Sequence, residues 1–289
     1  MMILRTVSAA AILAVITACG GGDAEPVADT NASLVDAEAE APADSEPKST
    51  PAIAVQEEPV EPVTIVIDTE QFSASANIDG AIGAFAPALG ERIKTETEEA
   101  LKKAQRIAGE EANEGYFIPH DYQYDFIKSA SVDDIISVEY LNSFFTGGAH
   151  PNYIIGGIIH DRASGNDIPA KDFLSEEGVP TVKAFLMEEL AKMKVKRMSM
   201  EAEDLPILRD EVAQVFPKEI DFWFGEVTLV PSTEANKFGG LVVHYSPYDV
   251  GAYAEGSYDI LVSAADLDGA LTPDYAAMFG GDPIYEEVQ

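Results

Sequence analysis

The chain has 289 residues, with 51 acidic against 18 basic side chains, a formal net charge of -33 and one Cys. Such acidity repels nucleic acid and anionic headgroups and favours cationic partners, though it also serves simply to keep a chain soluble. A single Cys excludes an intrachain disulfide framework, so the fold depends on an apolar core, for which 13 Phe, 11 Tyr and one Trp supply material.

The N-terminus reads as an address. Arg5 precedes an apolar run from Ala9 to Ala18, about half of what a helix needs to span a bilayer. Basic start, short apolar core and small residues follow the order of a secretory signal. Ile16-Thr17-Ala18-Cys19 resembles a bacterial lipobox, in which the Cys becomes a new N-terminus bearing acyl chains such as palmitate. The alternative is a plain signal peptide with an incidental Cys. The expected layout is a signal over 1–18 and a lipidated Cys19, since several acyl chains on one residue hold a protein durably. Gly20 after the Cys, instead of Asp, is similar to the Gram-negative pattern that sends a lipoprotein to the outer membrane, facing the periplasm.

From Gly20 to Pro62 there are eleven Asp and Glu, one Lys and no aromatic residue. This composition buries too little apolar surface to offset the entropy of ordering, so 19–62 reads as a disordered acidic tether. As a coil it would span about 35 Å.

The remaining residues suffice for one large domain or two closely packed ones, expected over 63–165 and 166–289. Val63 to Ile78 reads as a strand pair or a bent strand. Pro87 opens a helix on which Leu89, Ile93, Thr97, Leu101, Ala104 and Ala108 share one face. A meander follows at 119–129, 135–145 and 153–160, with Tyr122, Tyr124 and Phe126 on one side. Gly147 and Gly148 permit a tight or left-handed turn, and Pro151 biases His150 toward extended backbone. Gly156-Gly157 reads as a bulge or a close strand approach.

A second helix is expected at about 180–195, with Val182, Phe185, Leu186, Leu190 and Met193 as its apolar stripe and Lys192, Lys194, Lys196 and Arg197 as a basic end. EDLPILRDEVAQVF gives a shorter element, FWFGEVTLV and GGLVVHY a hairpin, SYDILVS a last strand and AADLDGAL a short helix. Strands and helices are grouped, which favours α+β: an antiparallel sheet packed against helices.

The four His, at 120, 150, 160 and 244, form no compact zinc motif, and no Walker loop or nucleophile elbow occurs. No cofactor or metal is expected. His150 is either a loop hydrogen-bonder or a general base, and is the one weak catalytic candidate. His150, Tyr153, Tyr248 and Tyr253 are candidate binding residues. Gly147, Gly148, Pro247 and Gly256 are expected to be structural. Tyr248 and Tyr253 either cover an edge of the core or stack on sugar rings.

YLNSFFTGGAHPNY, DRASGNDIPAKDFL and HYSPYDVGAYAEG together resemble a bacterial extracytoplasmic module. That module occurs in the extracellular part of lysozyme-sensing anti-sigma factors, beside some peptidoglycan deacetylase domains, and in stand-alone lipoproteins. The GGAH loop is met by Gly147, Gly148, Ala149 and His150, and the later signature by Pro247, Tyr248, Tyr253, Ala254 and Gly256. The resemblance covers about residues 63–272 and implies an α+β sheet-on-helix fold. The chain lacks the anti-sigma transmembrane helix and the deacetylase metal motifs. The implied function is therefore a lipid-anchored cell-envelope binding module for a cationic protein such as lysozyme or for cell-wall glycan. A peptidoglycan hydrolase or deacetylase and an envelope structural protein are the alternatives.

Overall fold

The computed structural model describes residues 60–115 and 118–286. The expected signal, Cys19 and the tether up to residue 59 lie outside the described residues. Glu57–Gln289 form one compact unit. It is an α+β fold with two sheets: six strands in the order β1-β2-β3-β4-β5-β6, and three in the order β7-β8-β9.

The first sheet begins with the antiparallel pair β1 (Val63–Asp68) and β2 (Phe72–Ile78). Asp79 caps the short helix α1 (Gly80–Phe85) by accepting the Ala81 N–H at 2.9 Å. Helix α2 (Pro87–Asn113) starts at Pro87, where the missing N–H has no intrahelical partner to lose. The six residues of its expected stripe are all buried. Ala74 and Ala76 of β2 are small, and Leu101, Ala104 and Ala108 of the helix pack with them and with Phe72.

The meander is β3 (His120–Val132), β4 (Ile135–Phe145) and β5 (Asn152–Asp161), antiparallel throughout, and β6 (Asn166–Asp167) closes the edge. β2 and β3 are parallel, with α1 and α2 in the crossover between them. This pairing is long-range, and strand periodicity carries no signal for it.

Helices α3 (Gly178–Arg197), α4 (Leu205–Val215) and α5 (Ile220–Trp223) precede the second sheet, β7 (Val227–Pro231), β8 (Phe238–Tyr245) and β9 (Tyr258–Ser263). Val182, Leu186 and Leu190 of α3 and Leu208 and Val212 of α4 share a core with Leu229, Leu241, Val243 and Ile260. Ala130, Val132, Ile135 and Ile159 of the first sheet belong to the same core and join the two sheets.

Two local readings change. FWFGEVTLV is a strand only from Val227; Trp223 and Phe224 are both buried, so the alternation fails and residues 220–223 turn helically. AADLDGAL is a run of turns, because the Asp266 carboxylate accepts from both the N–H and the hydroxyl of Ser263 and Gly269 sits at φ 73°. The short helix of this region is instead α6 (Pro273–Ala276). The expected basic end of α3 holds Lys194, Lys196 and Arg197, of which Lys194 is fully buried.

Candidate functional site

Two connections meet at one end of the meander: the β4–β5 loop and the segment between β8 and β9. In the first, Gly147 and Gly148 have φ of 91° and 117°. A Cβ at Gly147 would lie 3.0 Å from Ile118 Cδ1, whereas one at Gly148 meets nothing, so backbone conformation alone selects glycine there. The turn brings His150 onto Tyr253, with ring centroids 3.7 Å apart and planes 16° from parallel. The Pro151 carbonyl accepts from His150 Nδ1 at 2.9 Å and from the Tyr253 hydroxyl at 2.5 Å. Tyr248 continues the row, 5.5 Å from Tyr253.

Tyr248 is 44 % exposed and holds φ 79°, a conformation that costs a residue other than glycine about 1–3 kcal/mol. It is fixed by the turn around it: the Ser246 N–H donates to Asp249 at 2.7 Å, the Asp249 N–H returns to the Ser246 carbonyl, and Pro247 is buried. An exposed ring on a strained backbone is the feature here that core packing does not explain.

Tyr153 is placed differently. Its half-buried hydroxyl accepts the Ser257 N–H at 3.1 Å and so props the turn that carries Tyr253. Gly256 ends that turn at φ 74° and ψ -158°, a region open essentially to glycine alone. The turn is locked from below by a network that sequence reasoning missed. Lys194 donates to Glu255 at 2.6 Å and to Glu211 at 3.2 Å. Glu255 also accepts from the Ala252 N–H at 2.7 Å and the Tyr258 hydroxyl at 2.8 Å. Arg197 donates to the Glu255 and Ser257 carbonyls, both at 2.5 Å. Burial pushes the Glu255 carboxyl up, but the bonds from Lys194, Ala252 and Tyr258 together hold it below the ordinary carboxylate range. The signal for this network was present: Lys194 follows Val182, Leu186 and Leu190 at intervals of four on the apolar stripe.

Of the expected site residues, the structure thus brings His150, Tyr248 and Tyr253 into one ledge, and sets Tyr153 and Gly256 beneath it. The other histidines sit apart in polar pairs. His120 Nε2 lies 3.1 Å from Glu111, and His160 Nδ1 lies 2.8 Å from Asp167, which Arg92 grips with two bonds of 2.7 and 2.8 Å.

His244 deserves comparison with a catalytic relay. Its Nδ1 donates to Asp259 at 2.8 Å and its Nε2 accepts from the Thr228 hydroxyl at 2.9 Å. The order hydroxyl, imidazole, carboxylate is that of a nucleophile and its base. Thr228, however, is only 2 % exposed, and its methyl carbon would lie 2.9 Å from a Cβ at Gly157. The hydroxyl is turned into the packing between the sheets, and no substrate atom reaches it in this arrangement.

The free edge of β5 is covered by the second half of the chain. The Gly157 N–H donates to the Glu226 carboxylate at 3.3 Å, and the Ile155 N–H donates to the Ser246 hydroxyl at 3.1 Å. Such coverage keeps an edge from pairing with another strand. Burial pushes the Glu226 carboxyl up, against the opposing bonds from Tyr140 and Gly157. Among the described residues no group of three or more His, Cys, Asp or Glu is placed to hold a metal ion, and no helix is long and apolar enough to cross a membrane.

No known family model matches the sequence, and no curated protein matches it. Solved structures do. A DUF3298 family protein from Pseudomonas aeruginosa PAO1 is similar at 17% identity, over 78% of this chain and 99% of that chain, with a TM-score of 0.48. A member of the DUF3298 family from Bacteroides fragilis NCTC 9343 is similar at 14% identity, over 74% of this chain and 94% of that chain, with a TM-score of 0.46.

Proposed function

We propose that the chain is a lipid-anchored binding module of the cell envelope. In this reading the signal over 1–18 exports it, Cys19 fixes it to the bilayer, the tether over 19–62 sets its reach, and the segments 63–165 and 166–289 present the ledge of His150, Tyr253 and Tyr248. The ligand is a cationic protein such as lysozyme. The observation that carries the reading is the strained, exposed Tyr248 at the end of a preformed ring stack. Tyr is favoured as an interface anchor, and a ledge ordered before binding loses little entropy on binding. The net charge of -33 adds long-range attraction for a cationic partner. Stacked rings also suit the face of a sugar, which makes cell-wall glycan the second reading. A hydrolase or deacetylase using His150 gains no support from a ring whose Nδ1 is bonded to Pro151 and whose face lies on Tyr253.

Titration of the mature protein with lysozyme should give a 1:1 complex that survives ~0.5 M salt, where long-range attraction is screened. Tyr248→Asn, which tolerates the left-handed backbone, and Tyr253→Ala should each weaken it about tenfold. Binding lost at high salt, or indifferent to both substitutions, leaves only generic electrostatics. Mass spectrometry of the mature N-terminus should find an acylated Cys19; an unmodified start further along removes the anchor.

A further inference from the structure

The first sheet has two edges, and the chain treats them differently. On the β5 side, the outer N–H groups are taken up by Glu226 and Ser246. β1 is the opposite edge, and among the described residues no strand, bridge or side chain bonds to its outer side. Its residues are β-branched up to the final Asp68. It carries none of the Pro, Lys or bulge that keep an edge from pairing with another strand.

The hairpin fixes which of its backbone groups point outward. The Thr69 N–H donates to the Phe72 carbonyl at 2.8 Å, and the register runs on without a shift from Asp68 opposite Ser73 to Val63 opposite Ile78. Bonding direction alternates along a strand, so Val63, Ile65 and Ile67 turn their N–H and C=O groups to β2. Those of Thr64, Val66 and Asp68 turn outward. The side chains of these three are exposed, and Val66, at 70 %, is the most exposed large apolar residue among those described.

We infer that β1 pairs antiparallel with β1 of a second copy, giving a twofold dimer with one sheet running through both. Outward groups must meet outward groups, so even-numbered residues face even-numbered ones. With the dyad at Val66, Val66 faces itself, Thr64 faces Asp68 and Asp68 faces Thr64, and all three outward residues bond in each copy. A dyad at Ile65 would set Asp68 against Pro62, which has no N–H to give. A dyad at Ile67 would set Thr64 against Glu70, which lies in the turn beyond β1. The register at Val66 also suits the side chains. The most exposed apolar residue is covered by its own copy, the Thr64 hydroxyl stands beside the Asp68 carboxylate, and no like charges are directly opposite between residues 62 and 70. On the other face Ile65 meets Ile67, which extends the apolar layer these two share with Phe72 and Leu101. The contact is isologous and closes on itself, since it uses the free edge of both copies. One strand pair is a small contact, so the expected Kd is on the order of 100 µM. The inference does not rest on the ledge of His150, Tyr248 and Tyr253.

The test is sedimentation equilibrium of the whole mature chain carrying Cys19→Ser, which bears neither lipid nor a disulfide between copies. At ~0.5 M NaCl, where the net charge is screened, monomer and dimer should exchange between ~10 µM and ~1 mM. Hydrogen exchange over 63–68 should slow as the concentration rises. Val66→Glu puts like charges face to face at an exposed site. It should weaken the dimer at least about tenfold and leave the melting temperature of the dilute protein unchanged. Thr64→Lys, which faces Asp68 twice in the dimer, should tighten it about threefold or more. Ile127→Glu and Ile127→Lys make the same charge changes at an exposed position of β3 and should do neither. A protein still monomeric at ~1 mM, or a Val66→Glu variant that dimerises like wild type, overturns the inference. So does protection of 63–68 that is independent of concentration, because the same chain would then be covering its own edge.

Discussion

Gly157→Ala is expected to destabilise the fold by about 3 kcal/mol or more, the upper end of what overpacking costs. A Cβ there would lie 1.9 Å from the Val227 carbonyl oxygen and 2.6 Å from its carbon. These are backbone atoms of β7, which is held on both sides. Its Leu229 N–H donates to the Ser137 hydroxyl of β4 at 2.9 Å, and Thr228 is bonded to His244 of β8. The methyl therefore has to push the second sheet away from the first. Gly156→Ala is the useful contrast. Its Cβ would meet Glu226 Oε2 at 2.0 Å and Tyr140 Oη and Cζ at 2.5 and 2.6 Å, but these are the far ends of side chains and not backbone. It should cost about half as much, with loss of the cap on the β5 edge. Gly109→Ala, inside α2 with nothing within 4 Å, should stabilise by about 0.5–1 kcal/mol. Urea denaturation of the three variants checks the order. A Gly157→Ala protein as stable as wild type would mean that the sheets do not approach through this residue.

Gly156-Gly157 also marks how far the sequence reaches. Two glycines in a β-branched strand signal close approach, and the unbroken β4–β5 register shows that neither is a bulge. What approaches is unreadable, because Val227 is 70 positions away. The same limit runs through the molecule. The α2 stripe and the three meander strands follow from periodicity, which is local. The parallel pairing of β2 with β3 does not, since α1 and α2 intervene. FWF misled because consecutive aromatics fit either a strand or one helical turn, and only the tertiary burial of Trp223 and Phe224 decides. At the ledge, the sequence marked His150, Tyr248 and Tyr253 as separate points. Their assembly depends on a contact across about a hundred residues, from Pro151 to the Tyr253 hydroxyl.

Lys194→Met is expected to cost about 3–5 kcal/mol, the penalty for breaking a buried ion pair by removing one partner. Met matches the length of the lysine stem, so packing is nearly kept and charge is what is lost. The two carboxylates fare differently. Glu211 is 43 % exposed and turns to water, whereas Glu255 is 14 % exposed and stays with the Ala252 N–H and the Tyr258 hydroxyl but without a cation. Its carboxyl then loses the main bond that held it below the ordinary range, and burial raises it. The pH dependence follows with a definite sign. In the wild type, the stabilisation from Glu255 is present above the ordinary carboxylate pKa and is lost as pH falls through its lowered value. In Lys194→Met that acid-side loss should shrink or reverse, because a raised carboxyl binds a proton more readily folded than unfolded. Adding Glu255→Gln should recover part of the stability, since an apolar or neutral pair is tolerated where a lone charge is not. The same break should loosen the 252–257 turn and scatter Tyr253 from His150, so ledge binding falls more than the bulk fold does. Melting curves from pH 3 to 8 on the single and double variants decide it. Equal losses in Lys194→Met and in the double variant, with unchanged acid slopes, would show that the lysine contributes only its stem.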